Sequence, residues 1–157
     1  LVYHPLAFYA AYFSIRAKAF DLRIMTGDLK TQLTEFNRIK ALDRAASPKD
    51  KDLMSALEVS MEMYQRGYRF INVDIQHSEA RRFSIKDGAL LPPFLAIDSL
   101  GETVADAIVA EREERPFTSL KDLQRRCKVS NTIIDLMKEL KCCGELPEDE
   151  QMSLFGA

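Results

Sequence analysis

Apolar residues recur along this chain at helical spacing, then in a short alternating stretch, then at helical spacing again. Pro5 suits the first position of a helix, where its missing N–H costs nothing. The run from Leu6 to Phe20 is apolar on nearly every side until Arg16, which predicts a helix packed on several faces. Asp28 is placed to cap a second helix, with Leu29, Leu33, Phe36 and Leu42 near helical spacing as its inner stripe. Ser47-Pro48 is a strong start signal for a third, in which Leu53, Leu57, Met61 and Tyr64 form a core stripe and Gly67 suits the stop. The pattern then changes. Tyr68 to Ile75 is rich in aromatic and β-branched residues and predicts a strand. A second short strand is expected through Phe83-Ser84-Ile85. Asp87-Gly88 then supplies a type I′ turn, so that Ala89-Leu90-Leu91 pairs back before Pro92-Pro93 ends the section.

From Phe94 the pattern is helical again, in short pieces. Leu95 to Asp98 ends one helix, and Ser99-Leu100-Gly101 forms a tight hairpin. Glu102 to Glu114 follows, with Val104, Ala105, Ile108 and Val109 inward, and Pro116 stops it. Ser119 and Asp122 make a capping-box-like start for the next helix. Cys127 to Ser130 is a second connector. Asn131 then caps Thr132 to Lys141, and Gly144 ends that helix. Helix, connector, helix therefore occurs twice between Phe94 and Gly144. The expected fold is mainly α with a small β element. A soft boundary falls between about 80 and 92.

Composition narrows what such a fold can do. The 157 residues suffice for one ordinary domain or two small ones, and 46% of them are hydrophobic, enough for a core. No apolar run approaches the roughly 18 residues of a membrane span, so no membrane role is expected. The opening Leu1-Val2-Tyr3-His4-Pro5 lacks a signal-peptide pattern and reads as the middle of a longer protein. Three cysteines, Cys127, Cys142 and Cys143, form neither a disulfide framework nor a zinc spacing, which fits thiols in a reducing cytoplasm. His4 and His77 are far apart, and neither a nucleophile arrangement nor a phosphate-cradling Gly-rich loop occurs. No catalytic residue, metal ligand or cofactor site is therefore expected here. Net charge is −2, but it is uneven. The stretch from Arg112 to Lys128 is modestly basic, whereas Glu145, Glu148, Asp149 and Glu150 make the end acidic.

The first connector carries the most specific chemistry. Ala96-Ile97-Asp98-Ser99-Leu100-Gly101-Glu102-Thr103-Val104-Ala105 resembles a helix-hairpin-helix motif: an apolar residue, a Gly, a few polar residues, then Ala. A Gly at 101 lets backbone N–H groups come up to a phosphate, and the helix starting there offers its free N–H groups to the anion. Ala105 lets two helices cross closely. Such contacts read the DNA backbone and predict sequence-independent, salt-dependent duplex binding. The candidate DNA-binding residues are Ser99, Leu100, Gly101, Thr103, Arg125, Arg126 and Lys128. The second connector lacks the Gly and offers Lys128 and the helix start at Asn131, so its role is binding or structural. The bland reading of the first is a plain turn with Gly at a helix end.

At the end, after the Pro-marked acidic stretch, comes Gln151-Met152-Ser153-Leu154-Phe155. The Gln151 amide both donates and accepts, and Leu154 and Phe155 are built to fill an apolar pocket. These residues either dock on a partner or fold back on the domain. The peptide resembles the bacterial sliding-clamp-binding motif Gln-x-x-Leu-Phe; Gly156-Ala157 after it is a departure, since that motif often closes the chain. Tyr3-His4-Pro5-Leu6-Ala7-Phe8-Tyr9-Ala10-Ala11 looks like the fingers-region motif of bacterial DNA polymerase III α subunits. Phe70 to Phe94, ending Leu90-Leu91-Pro92-Pro93-Phe94, is similar to the segment before their duplex-binding domain. The order of these landmarks is more specific than any one of them, and the wording is nearest the PolC-type branch.

The resemblance implies the C-terminal region of a replicative DNA-directed DNA polymerase. Residues 1–85 would end the fingers, 86–146 would be a tandem helix-hairpin-helix duplex-binding domain, and 147–157 a flexible tail carrying clamp-binding Gln151, Met152, Ser153, Leu154 and Phe155. Its implied partners are double-stranded primer-template DNA, the sliding clamp and the rest of the holoenzyme. The catalytic carboxylates and their divalent metal, Mg, would lie in an upstream palm, leaving this segment inactive alone. The competing reading is a free-standing helix-hairpin-helix DNA-repair scaffold with a clamp-binding tail.

Overall fold

The computed structural model describes residues 4–150; Tyr3 of the fingers-like motif and the peptide Gln151–Phe155 lie outside the described residues. Helix α1 spans Pro5–Ile15 and buries Tyr9 and Phe13. It is not packed on several faces as its composition suggests, for Phe8 is 60% and Ile15 83% exposed. The helix stops at Arg16, whose guanidinium lies over the Tyr12 ring. A 3-10 turn at Ala17–Ala19 then leads to a short helix the sequence pattern did not reveal, α2 at Leu22–Met25, capped by the Asp21 carboxylate.

Helix α3 spans Leu29–Leu42 and is capped by Asp28, which accepts the Thr31 N–H at 2.8 Å. Its buried face is not the expected leucine stripe. Leu29, Leu33 and Leu42 are exposed, and Gln32 and Ile39 are buried instead. Gln32 explains the rotation. Its amide donates to the Met25 carbonyl at 3.1 Å and the Gly27 carbonyl at 3.3 Å, and its oxygen accepts from the Ser60 hydroxyl at 2.6 Å. A buried amide with its partners satisfied fixes the helix about its axis, because leaving them unmade costs more than exposing a leucine edge. Helix α4, Pro48–Gln65, begins with a full Ser47/Asp50 capping box, packs on α3, and buries Ala56, Leu57, Ser60 and Met63. Leu53, Met61 and Tyr64 are only half-buried, and Gly67 leaves the helix with φ +90°.

The stretch Tyr68–Ile75 does not form a strand of its own. Its β-pairing is a single parallel bridge between Phe70 and Leu90, while the Ile75 N–H donates to the Cys142 carbonyl at 2.9 Å and the Asn72 amide to the Leu140 carbonyl at 2.6 Å. The chain then turns at Asp74, whose carboxylate accepts the Gln76 N–H at 2.8 Å and sits 2.6 Å from the His77 Nδ1. The hairpin is as expected: β1 at Ser84–Lys86 pairs antiparallel with β2 at Ala89–Leu91. Asp87 and Gly88 have φ of +52° and +75°, the left-handed pair that a type I′ turn demands.

Four phenylalanines bind these parts together. Phe13, Phe20, Phe70 and Phe83 pack together, edge to face between Phe20 and Phe70 at 4.8 Å and between Phe13 and Phe70 at 4.9 Å from ring centre to ring centre. The buried core continues without a break from Tyr9 to Cys143, and the expected boundary at 85/86 falls inside β1. All three cysteines are buried, and burial, with Glu111 nearby, pushes the Cys127 thiol up to about 11. Among the described residues no helix is long and apolar enough to cross a membrane.

Candidate nucleic-acid interface

The first connector forms the expected tight hairpin, but the helix expected to end over Leu95–Asp98 is only a 3-10 turn. A 3-10 turn at Phe94–Ala96 runs into Ser99, which carries the strained φ of +65°, then into Leu100, 1% exposed, which plugs the loop into the core. Gly101 is the N-cap of α5, Glu102–Glu114, with φ −83° and ψ 170°, and no side chain caps the helix. Its leading N–H groups therefore lack both an intrahelical acceptor and a capping side chain. Gly101 has no internal reason to be glycine. Its φ is ordinary, and an added Cβ would meet nothing within 4 Å among the described residues. The space in front of it is open, as close approach of a ligand requires. Ala105 and Ile108 are buried, and α5 packs on α6.

Two acids flank this helix start, and a basic residue from elsewhere addresses them. Arg81 lies 3.4 Å from Glu102 and 2.6 Å from Asp106, and holds the Asp106 carboxyl below its usual range. Lys18, from the turn after α1, donates to the Leu100 carbonyl at 2.9 Å. Neither residue was singled out from sequence. Their contacts span 25 and 82 positions, so no local pattern marks them.

The second connector repeats the backbone of the first without its glycine. It joins α6, Leu120–Cys127, to α7, Asn131–Glu139. Lys128 takes the left-handed position with φ +57°, Val129 plugs the core, and Ser130 is the N-cap with φ −69° and ψ 158°. The cap is thus Ser130 and not Asn131, because the Ser130 hydroxyl accepts the Ile133 N–H at 3.2 Å. Likewise Lys141, with φ +56°, makes the left-handed exit from α7, and Gly144 lies beyond it. Replacing Ser130 with Ala is expected to lower stability by about 1 kcal/mol, measured by urea denaturation. Ser130→Gly should cost only a few tenths, since Gly is tolerated at a cap.

The basic segment between Arg112 and Lys128 turns partly inward. Arg112 donates to the Ser78 carbonyl at 2.8 Å and the Ile75 carbonyl at 3.1 Å, with its guanidinium over the Phe94 ring. Arg126, a candidate DNA contact from sequence, is not available for one. Its side chain is 7% exposed. Nε reaches Glu111, Nη1 reaches Asp122 and the Pro116 carbonyl, and Nη2 reaches the Glu111 and Arg115 carbonyls, so all five donors are engaged. Asp122 is the anchor of this cluster. It is buried, accepts the Thr118 N–H at 3.1 Å, and pairs with Arg125 at 2.9 Å and Arg126 at 3.1 Å. Arg125 and Lys128 remain exposed at the second connector, and Ser99 and Thr103 at the first. Leu100 is buried, with its N–H donating to the Ile97 carbonyl and its carbonyl accepting from Lys18.

The acidic stretch after Leu146 is not a free linker as far as Glu150. The first two N–H groups of α6, from Leu120 and Lys121, donate to the carbonyls of Pro147 and Glu148 at 2.8 and 3.2 Å. The third, from Asp122, donates to the Ser119 hydroxyl at 2.9 Å. Asp149 pairs with Lys121 at 2.9 Å, Glu148 with Lys138, and Glu150 accepts from the Thr118 hydroxyl at 2.9 Å. The orphan donors of a helix start thus hold this strap in place.

Residues 67–151 match the family described as the helix-hairpin-helix motif. The chain is 43% identical over 154 residues to a DNA polymerase III PolC-type of Caldanaerobacter subterraneus subsp. tengcongensis. It is 44% identical over 156 residues to that of Streptococcus suis, and 43% over 157 to that of Streptococcus pyogenes. Each match covers 98% of this chain, but the chain spans only about 11% of the length of those relatives. It belongs to the helix-hairpin-helix family and is homologous, along nearly its whole length, to one segment of the PolC-type DNA polymerase III chains.

Proposed function

We propose that this chain is the duplex-holding part of a replicative DNA-directed DNA polymerase, gripping primer-template DNA by its phosphates while nucleotide addition proceeds elsewhere in the parent. The uncapped start of α5 behind Gly101 carries this reading. It presents N–H groups and the positive end of the helix dipole at an open, glycine-fronted surface. Ser99 and Thr103 flank the phosphate at the first hairpin, and Arg125 and Lys128 add charge at the second. On this reading 1–85 would end the fingers, 86–146 would hold the duplex and 147–157 would be the tail, and among the described residues the first two zones share one buried core. The divalent metal expected of such a polymerase would be held by carboxylates of an upstream palm; among the described residues no group of three or more His, Cys, Asp or Glu side chains stands together. The chain would act in the cytoplasm, where its buried thiols stay reduced. Titration of two duplexes of unrelated sequence at rising salt tests the reading. Equal affinities that fall with salt are expected; no binding at low salt, or a strong sequence preference, would overturn it.

The same reading gives Gln151, Met152, Ser153, Leu154 and Phe155 the role of a sliding-clamp tether within the holoenzyme. Burying Leu154 and Phe155 would contribute about 1.5–3 kcal/mol each before ordering costs. Leu154→Ala with Phe155→Ala should therefore abolish retention on immobilised clamp while leaving duplex affinity intact. Undiminished retention would remove the tether assignment.

A further inference from the structure

We propose that Lys18 completes the phosphate site of the first hairpin from outside the helix-hairpin-helix segment, binding the same phosphodiester that the α5 N–H groups hold. This rests on the duplex-binding reading above and adds a residue to it.

The argument begins with local charge. Asp98 and Glu102 both lie within three residues of Gly101, so the hairpin alone sets two acids beside the place an anion would occupy. Arg81 pairs with Glu102 and with Asp106 one turn on. Asp98 has no such partner from its own segment. The cation that reaches the hairpin is Lys18, whose Nζ lies 2.9 Å from the Leu100 carbonyl, one residue before the N-cap. An ammonium has three donors, and this contact uses one. Lys18 is exposed, and it lines a cavity of about 200 Å³ together with Asp98 and Ser99 of the hairpin and Lys49 of α4. The other acid on that wall, Asp21, accepts the Ile24 N–H as a helix cap. The cluster of buried phenylalanines fixes the turn that carries Lys18, because Phe20 packs on Phe70 and Phe83. Lys18 thus lies outside the matched family segment, 67–151, while the hairpin and Arg81 lie inside it.

The test is duplex binding by the full chain as a function of salt, for wild type, Lys18→Gln, Lys18→Met and Lys18→Arg. Glutamine keeps a donor for the Leu100 carbonyl but removes the charge. Lys18→Gln should bind more weakly at low salt, with the slope of log affinity against log salt smaller by about 0.9, the value for one lost phosphate contact. Lys18→Arg should restore the slope, and thermal melting should show all variants folded. An unchanged slope in Lys18→Gln would overturn the proposal, as would weakening confined to Lys18→Met, which would make Lys18 a prop for the loop. A wild-type chain that binds no duplex would end the underlying reading as well. Binding that is normal and salt-dependent in both wild type and Lys18→Gln would end this inference alone.

Discussion

Asp122→Ala should cost about 1–3 kcal/mol of folding stability, the penalty for leaving the Thr118 N–H and one nitrogen of the buried Arg126 guanidinium short of an acceptor. That is a large share of the roughly 5–15 kcal/mol that holds a typical domain together. Asp122 is buried, and its carboxylate gathers the Thr118 N–H, Arg125 and Arg126 at one point. Removing it strands the Arg126 guanidinium, 7% exposed, with Glu111 as its remaining carboxylate. Asp122→Asn should be milder, because the amide oxygen still accepts from Thr118. Acid should reproduce part of the loss. Burial by itself would raise the Asp122 pKa, but the Thr118 N–H and Arg126 outweigh it and hold the carboxyl below its ordinary value. A carboxyl depressed in the folded state stabilises fully above its unfolded pKa of about 3.9 and loses that contribution as pH falls through the folded value. The stability gap between wild type and Asp122→Asn should therefore narrow below about pH 4. Urea denaturation at neutral and acid pH measures both effects. A loss under about 1 kcal/mol for Asp122→Ala would mean the cluster behaves as an ordinary surface pair.

Gly101→Val should separate binding from folding. Valine adopts the Gly101 backbone angles, and its Cβ meets no described neighbour. The cap itself loses less than about 1 kcal/mol, so the melting temperature should barely move. Duplex affinity should fall on the order of ten- to a hundredfold. Blocking one charge-assisted N–H contact to phosphate removes about 1.5–3 kcal/mol, and about 1.4 kcal/mol is tenfold. Sequence preference should not change, because no base edge is involved. Fluorescence anisotropy with a labelled duplex gives the answer. Wild-type affinity in Gly101→Val would assign the open space before α5 to something other than DNA.

Features set by neighbours in sequence were legible before any coordinates. Asp28, Ser47-Pro48, Gly67 and Asp87-Gly88 each act within a few residues, and each stands where its chemistry places it. The Ser99-Leu100-Gly101 hairpin was legible for the same reason. Features decided by distant partners were not. Gln32 turns α3 away from its leucines because Met25, Gly27 and Ser60 supply the partners of a buried amide. Tyr68–Ile75 has strand composition, but its β-pairing is the single bridge to Leu90 before Asp74 turns the chain. Arg126 sits in a basic run that suits DNA, yet Glu111 and Asp122 draw it inward. The Pro147–Glu150 stretch has the composition of a linker, and only the unmet donors of α6 show why it stays.

That strap sets the length of a leash. If the tail were loose from Leu146, a partner holding Gln151 could wander several residues' worth of chain, each worth about 3.3–3.6 Å. With Glu150 fastened to Thr118, the free length before Gln151 shrinks to a single peptide link. Under the proposed tether, a clamp gripping Gln151 to Phe155 would be moored against the start of α6, and its ring would travel in step with the hairpins instead of trailing behind them. Loosening the mooring would let ring and hairpins drift apart on the duplex without breaking either grip.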